Sequence, residues 1–242
     1  MNSSPITHLI AQSYPLTQSQ ISFFRYNLQH HSFCLLSPLS SDMNHLQKGL
    51  HLFEKFCWEK FPERLQDQDA TLSFFYSSNF LLEENILVNS LVSLNQQLVD
   101  YNKTLGPQEG FFLSLAFGFL KESCFHFYHT GDTWIGVVKN NTFTIISWPK
   151  CLGGDFFSTT ASYSLPLHPL GSQADFFPSF QEIFLEKGDI LLMGTGSLLG
   201  PSFSQFFLKT TSLRSLFDKI FQGYQQNHGG PHKQANLLAF SF

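Results

Sequence analysis

The chain has 242 residues, is 43% hydrophobic and 16% aromatic, and carries a net charge of −4. That length and apolar content suffice for one sizeable α/β domain or two small ones. The basic residues are scattered and form no cationic face, which argues against nucleic acid and anionic membrane surfaces as partners.

Residues 1–20 are polar and Ser/Gln-rich and read as a lead-in to a single domain over residues 21–242. Ile21–Tyr26 and Ser32–Ser37 are expected strands around the turn Asn27–His31. Ser40, Ser41 or Asp42 is placed to cap a helix in which Met43, Leu46, Leu50, Phe53, Phe56, Cys57 and Phe61 make one apolar face, ending near Pro62. Leu72–Tyr76 reads as a short strand. Glu83–Tyr101 reads as a second amphipathic helix with Ile86, Leu87, Leu91, Leu94 and Leu98 inward.

The period then changes. Phe111–Leu120, Cys124–His129, Trp134–Val138 and Thr142–Trp148 are apolar runs divided by turn residues, the pattern of an antiparallel meander. Residues 149–178 are rich in Gly, Pro and Ser and read as a long loop or flap. Strands Phe180–Leu185 and Asp189–Met193, a helix from Ser212 to Tyr224, a Gly/His-rich loop over 223–233 and a closing strand Asn236–Phe242 follow. This order predicts an α+β fold: a β-sandwich of two antiparallel sheets flanked by helices, in α/β/β/α layers.

The four cysteines, Cys34, Cys57, Cys124 and Cys151, form no CxxC spacing and read as ordinary buried thiols. No apolar run approaches the ~18 residues of a membrane span. The first residues have no basic start and no long apolar stretch, so a cytoplasmic protein is expected, and the sequons at Asn102 and Asn140 read as chance matches. His228 and His232, and the pair His30-His31, have spacings seen at metal sites but read as loop and hairpin-turn residues. His126 and His129 read as packed or edge residues of a strand.

One segment carries a frame with chemistry attached. Leu185–Gly200 reads LEKGDILLMGTGSLLG: a charged turn, an apolar strand, then Gly194-Thr195-Gly196-Ser197. It resembles the "GD-x-LLL-x-T-D-G" strand of the PP2C and SpoIIE/RsbU-like metal-dependent Ser/Thr phosphatases. Four further stretches are similar in order and spacing. They are the helix with Ser90, Leu94 and Asn95; the strand Phe112–Ala116; the turn His129–Thr133; and Leu167–Gly171, which resembles a "P-L-G" of the flap.

The resemblance implies two divalent cations, Mn²⁺ or Mg²⁺, held by carboxylates, with a bridging hydroxide attacking a phosphoserine or phosphothreonine. It places ligand carboxylates on the early strands, at the entry to the first helix, at "TDG" and on the last strand. In this chain no Asp or Glu precedes Asp42 and none follows Asp218. Gly196 stands where "TDG" has its Asp, and Lys233-Gln234-Ala235-Asn236 stands where the last ligand belongs. A glycine offers no side-chain oxygen to a hard cation.

No catalytic or metal-binding residue and no cofactor is therefore expected. If the protein is active with relocated ligands, the candidates are Asp42, Asp132, Asp155 and Asp189. Each also has an ordinary role: Asp42 as a helix cap, Asp132 as a turn residue, Asp189 as a scaffold residue of its turn, and Asp155 in a chance "GGD". The resemblance implies a catalytically silent phosphatase fold that works by binding a protein, such as a phosphorylated anti-anti-sigma (STAS) factor or an associated kinase. The alternatives are an active divergent phosphatase, and a helper that dimerises with an active paralogue through a Phe-rich surface.

Overall fold

Alternation along the last strand shows how the fold is built. In β12 (Ala235–Ser241), Leu237 and Ala239 face one way and pack with a helix, while Leu238 and Phe240 face the other and fill the space between two sheets. The computed structural model describes residues 6, 8–14, 24–27, 29–40, 42–67, 72–106, 109–152, 165–199, 213–228 and 235–242. In chain order the strands are β1 (His8–Tyr14), β2 (Phe24–Asn27), β3 (Ser32–Ser40), β4 (Phe111–Lys121), β5 (Cys124–Thr130), β6 (Thr133–Lys139) and β7 (Thr142–Ser147). After these come β8 (Cys151–Leu152), β9 (Leu165–Pro166), β10 (Gln181–Phe184), β11 (Ile190–Thr195) and β12. The helices are α1 (Met43–Phe53), α2 (Lys60–Gln66), α3 (Leu82–Lys103) and α4 (Leu213–His228).

Two antiparallel five-stranded sheets result, in the orders β1-β12-β11-β6-β7 and β10-β5-β4-β3-β2. The expected α+β architecture of two sheets with helices is what forms. The chain divides into two compact units. One comprises Met1–Ser37, Leu115–Leu167 and Glu182–Phe242, the other Pro38–Ser114 and His168–Gln181.

In the first unit, Phe33, Leu35, Ala116, Phe125 and Phe127 of one sheet meet Ile135, Val137, Leu191, Met193, Leu238 and Phe240 of the other. The Phe33 and Phe240 rings stack at 4.3 Å. The opposite face of the first sheet gives Trp134, Leu192, Leu237 and Ala239 to Leu213, Leu216, Phe217, Ile220 and Phe221 of α4. Strand β11 is covered on both faces, which is why it reads as an unbroken apolar run.

Several boundaries differ from expectation. The lead-in supplies β1, an edge strand paired along its whole length with β12; its Ile10 and Leu9 pack against the two cores. The expected meander is two hairpins. β4 pairs with β5 and β6 with β7, but β5 and β6 lie in different sheets, so the turn after Thr130 carries the chain across the sandwich. Gly131, at φ 68°, makes that turn possible. Helix α4 runs on through 223–228, residues expected to be loop.

In the second unit, Pro62 does not end the helix. A π-turn over Glu54–Trp58, with Glu59 N–H donating to Glu54 O at 2.9 Å, is followed by α2, where Pro62 sits in the first turn and its missing N–H costs little. The expected strand Leu72–Tyr76 is not one. The amides of Phe74 and Phe75 donate to Asn89 Oδ1 at 2.8 and 3.2 Å, and Asn89 Nδ2 donates to Phe75 O. Asn85 likewise binds Ser77 through both its N–H and its C=O. Side chains of α3 thus stand in for a neighbouring strand.

Asn95 and Asn102 continue that row. Asn95 accepts from Gly171 N at 2.9 Å, and Asn102 donates to the carbonyls of Phe111 and Gly171 while accepting from Phe111 N. The stretch resembling "P-L-G" is therefore a clasp on α3. Gly171 has φ +86°, and a Cβ there would lie 3.0 Å from the Asn102 amide.

Candidate functional site

The turn between Gly188 and Asp189 opens the segment that carried the resemblance. Gly188 adopts φ +98°. Asp189 Oδ2 accepts from Glu186 N at 2.8 Å and meets Lys139 Nζ at 3.0 Å. Its backbone carbonyl accepts from Phe242 N. Asp189 is the scaffold of this turn, as its sequence position suggests. It also lies at the wrong end of β11, about 20 Å of strand from Gly196.

At the other end of β11 several elements converge on Thr195 and Gly196. Trp134 Nε1 donates to Thr195 O at 2.7 Å, and Asn236 N donates to Thr195 Oγ1 at 3.1 Å. Gly196 N donates to Asp132 O at 2.5 Å. Ser37 Oγ donates to Asp132 Oδ2 at 3.1 Å. Gly194 is required because the indole of Trp134 lies 2.4 Å from where a Cβ would stand. The sequence frame thus retains the Thr hydroxyl as a bond to the closing strand, while the following position offers only backbone groups, its N–H spent on Asp132 O and its C=O accepting from Leu199 N.

Of the four acidic candidates, Asp132 is the one brought to this turn. Asp42 caps α1, its Oδ1 accepting from Asn44 N at 2.6 Å. Asp189 sits as described. Asp155 lies outside the described residues, as do Lys233 and His232; His228 ends α4. His30 and His31 form the β2–β3 turn, His31 with φ 47°. Among the described residues, the group of three possible metal ligands that lie close together is Cys124, His126 and Glu182, and no such group gathers around Asp132.

His129, at the end of β5, is buried. Its Nδ1 meets Thr133 O at 3.1 Å, so Nδ1 carries the proton and Nε2 accepts from the Ser147 hydroxyl. Burial, with the Lys150 charge second, lowers its pKa from 6.5 to about 4. The Ser147–His129 contact lacks a carboxylate, because a peptide carbonyl holds the far nitrogen. It is a satisfied core histidine rather than a nucleophile–base pair.

This shift makes a prediction with a definite sign. The unfolded chain protonates His129 near pH 6.5 and the folded chain only near pH 4. Stability is full above pH 6.5 and falls as pH drops through that window, by about 2.5 kcal/mol at pH 4.5. A His129→Gln chain is expected to lose that much less between pH 7 and pH 4.5 in paired urea titrations. Equal losses in the two proteins would refute the assignment.

No protein-family model matches the chain, and no curated protein matches it. Solved structures do. The Streptococcus agalactiae serine/threonine phosphatase is 11% identical, with 97% of this chain and 98% of that one covered at a TM-score of 0.70. The Mycobacterium tuberculosis phosphatase PstP/Ppp is 11% identical over 97% and 98%, at 0.69, and one PstP structure is a complex with two manganese ions. Stp1 from Staphylococcus aureus is 14% identical over 100% and 98%, at 0.67. At such identities the likeness is one of fold: the chain has the PP2C-like serine/threonine phosphatase fold.

The sequence assigns no structural role to Trp134, which anchors Thr195, or to the asparagines Asn85, Asn89 and Asn102. A usable signal was present for the second set. Asparagine is a poor helix former, and four of them with Asn95 on one 22-residue helix imply side-chain duties. No helix among the described residues is long and apolar enough to cross a membrane.

Proposed function

We propose that this protein is a phosphatase fold without hydrolysis, acting by binding a protein partner in a regulatory pathway of the sigma-factor partner-switching kind. The composition of the Thr195–Gly196 turn carries the reading. Gly196 and the stretch Lys233-Gln234-Ala235-Asn236 stand where the resemblance puts carboxylates, and Asp132 already accepts from Ser37. Two hard divalent ions need several oxygen ligands, so the described residues here do not fit such a pair.

A protein partner also suits the second unit. Residues 74–82 and 176–180 meet through Phe75–Phe177 at 4.7 Å and Phe80–Phe180 at 6.1 Å. These segments leave Phe74, Tyr76, Leu82 and Phe177 each more than half exposed, apolar surface of the kind used in protein contacts. A phosphorylated STAS-type anti-anti-sigma factor or its kinase is the partner the resemblance suggests.

An active Mn²⁺- or Mg²⁺-dependent phosphatase is the second reading. The place of Asp132 at the turn favours it, as does the naming of the structural neighbours as phosphatases. One assay separates the two. With either metal, the full chain is expected to hydrolyse neither p-nitrophenyl phosphate nor a phosphoserine peptide above the rate of a metal blank. Metal-dependent turnover that disappears in Asp132→Asn would establish the enzyme instead.

A further inference from the structure

We propose that Cys124, His126 and Glu182 form a binding site for a borderline-soft transition-metal ion, Zn²⁺ above all. Strand periodicity puts Cys124 and His126 on one face of β5, two residues apart. Strand β10 lies beside β5 at the sheet edge and presents Glu182 to both. Cys124 Sγ and His126 Nδ1 stand 3.9 and 3.8 Å from the same carboxylate oxygen, Glu182 Oε2. All three donor atoms lie within 4.8 Å of one another.

A tetrahedral zinc with bonds of about 2.0–2.3 Å holds its ligands roughly 3.3–3.8 Å apart, so the triangle needs little contraction. The side that must move is the one able to. The Glu182 side chain is 61% exposed, whereas that of His126 is 9% exposed. His126 is held flat against Phe119, with ring centres 5.2 Å apart and planes 10° from parallel. The bond from Leu185 N to Ser123 O ties the neighbouring chain ends.

The donor set decides the ion. Thiolate, imidazole and carboxylate together suit Zn²⁺ or Co²⁺ rather than Mg²⁺ or Mn²⁺, which take oxygen. Three protein ligands beside an exposed carboxylate leave the fourth position to water. The site is separate from the Thr195–Gly196 turn, since Cys124 begins β5 while Asp132, whose carbonyl binds Gly196 N, follows the strand's other end. It does not depend on whether the protein hydrolyses phosphate.

The test is a titration of the full chain with Zn²⁺ against a chromophoric chelator, and with Co²⁺ followed by absorbance. One ion per chain and a thiolate-to-cobalt charge-transfer band are expected. Glu182→Gln, at an exposed position that leaves folding intact, is expected to weaken Zn²⁺ binding at least as much as the roughly ten- to a hundredfold that loss of an outer-shell partner costs. Cys124→Ser is expected to abolish the band, while Cys57→Ser leaves it. Should Cys124→Ser fold poorly, protection of Cys124 in the unaltered chain from alkylation by added Zn²⁺ reads the same contact. Absence of binding, or binding unaffected by Glu182→Gln and without protection of Cys124, overturns the proposal.

Discussion

Replacing Trp134 by alanine is expected to lower the unfolding free energy by about 4 kcal/mol or more. The side chain is fully buried between Leu192, Leu237 and the apolar face of α4, and Phe143 meets its ring edge-on at 6.0 Å. Emptying such a site costs about 3–5 kcal/mol in transfer and cavity terms. The Thr195 carbonyl also loses its donor while staying buried, which adds about 1–3 kcal/mol. Trp134→Phe separates the contributions, because it keeps most of the volume and removes the N–H. Urea unfolding should rank the native chain above Trp134→Phe and that above Trp134→Ala. If both variants unfold at the native midpoint, the indole is not what holds the Thr195 turn.

Asn102→Ala is expected to cost about 3 kcal/mol. One amide satisfies the N–H and C=O of Phe111 and the C=O of Gly171, and each bond contributes about 1 kcal/mol. Asn102→Asp is the informative partner. It keeps the acceptor for Phe111 N but sets a carboxylate oxygen against the carbonyls of Phe111 and Gly171, so near neutral pH it should be no more stable than the alanine variant. Thermal melts of the three proteins read the order directly. An aspartate variant clearly more stable than alanine would show that the acceptor, not the donors, holds the clasp.

How much was legible in the sequence follows from where each signal resides. The alternation of Leu237 to Phe240 and the apolar run Ile190–Met193 encode local faces, so the two sheets and the helices over α1, α3 and α4 were readable. The crossing of the chain between sheets at Gly131 was not. A hairpin turn and a turn between sheets use the same residue types, and only the later pairing of β6 with β11 separates them.

The site divides in the same way. Gly196 was readable because a frame surrounds it, and the roles of Asp42 and Asp189 follow from position within a helix start and a strand entry. The convergence of Ser37, Asp132 and Gly196 joins segments about 60 to 95 residues apart, so no local rule reveals it. His126 reads in the sequence as a packed or edge residue of a strand, and in β5 it is buried. Its neighbour Glu182, 56 positions on, is what adds a possible second role.

Isothermal titration of the full chain with Mn²⁺ tests the central claim most directly, using Glu182→Gln as the background so that the β5–β10 site is weakened and left without its carboxylate. A turn deprived of acidic walls is expected to give heats of dilution only. Saturable uptake of two manganese ions per chain, lost on adding Asp132→Asn, would contradict it.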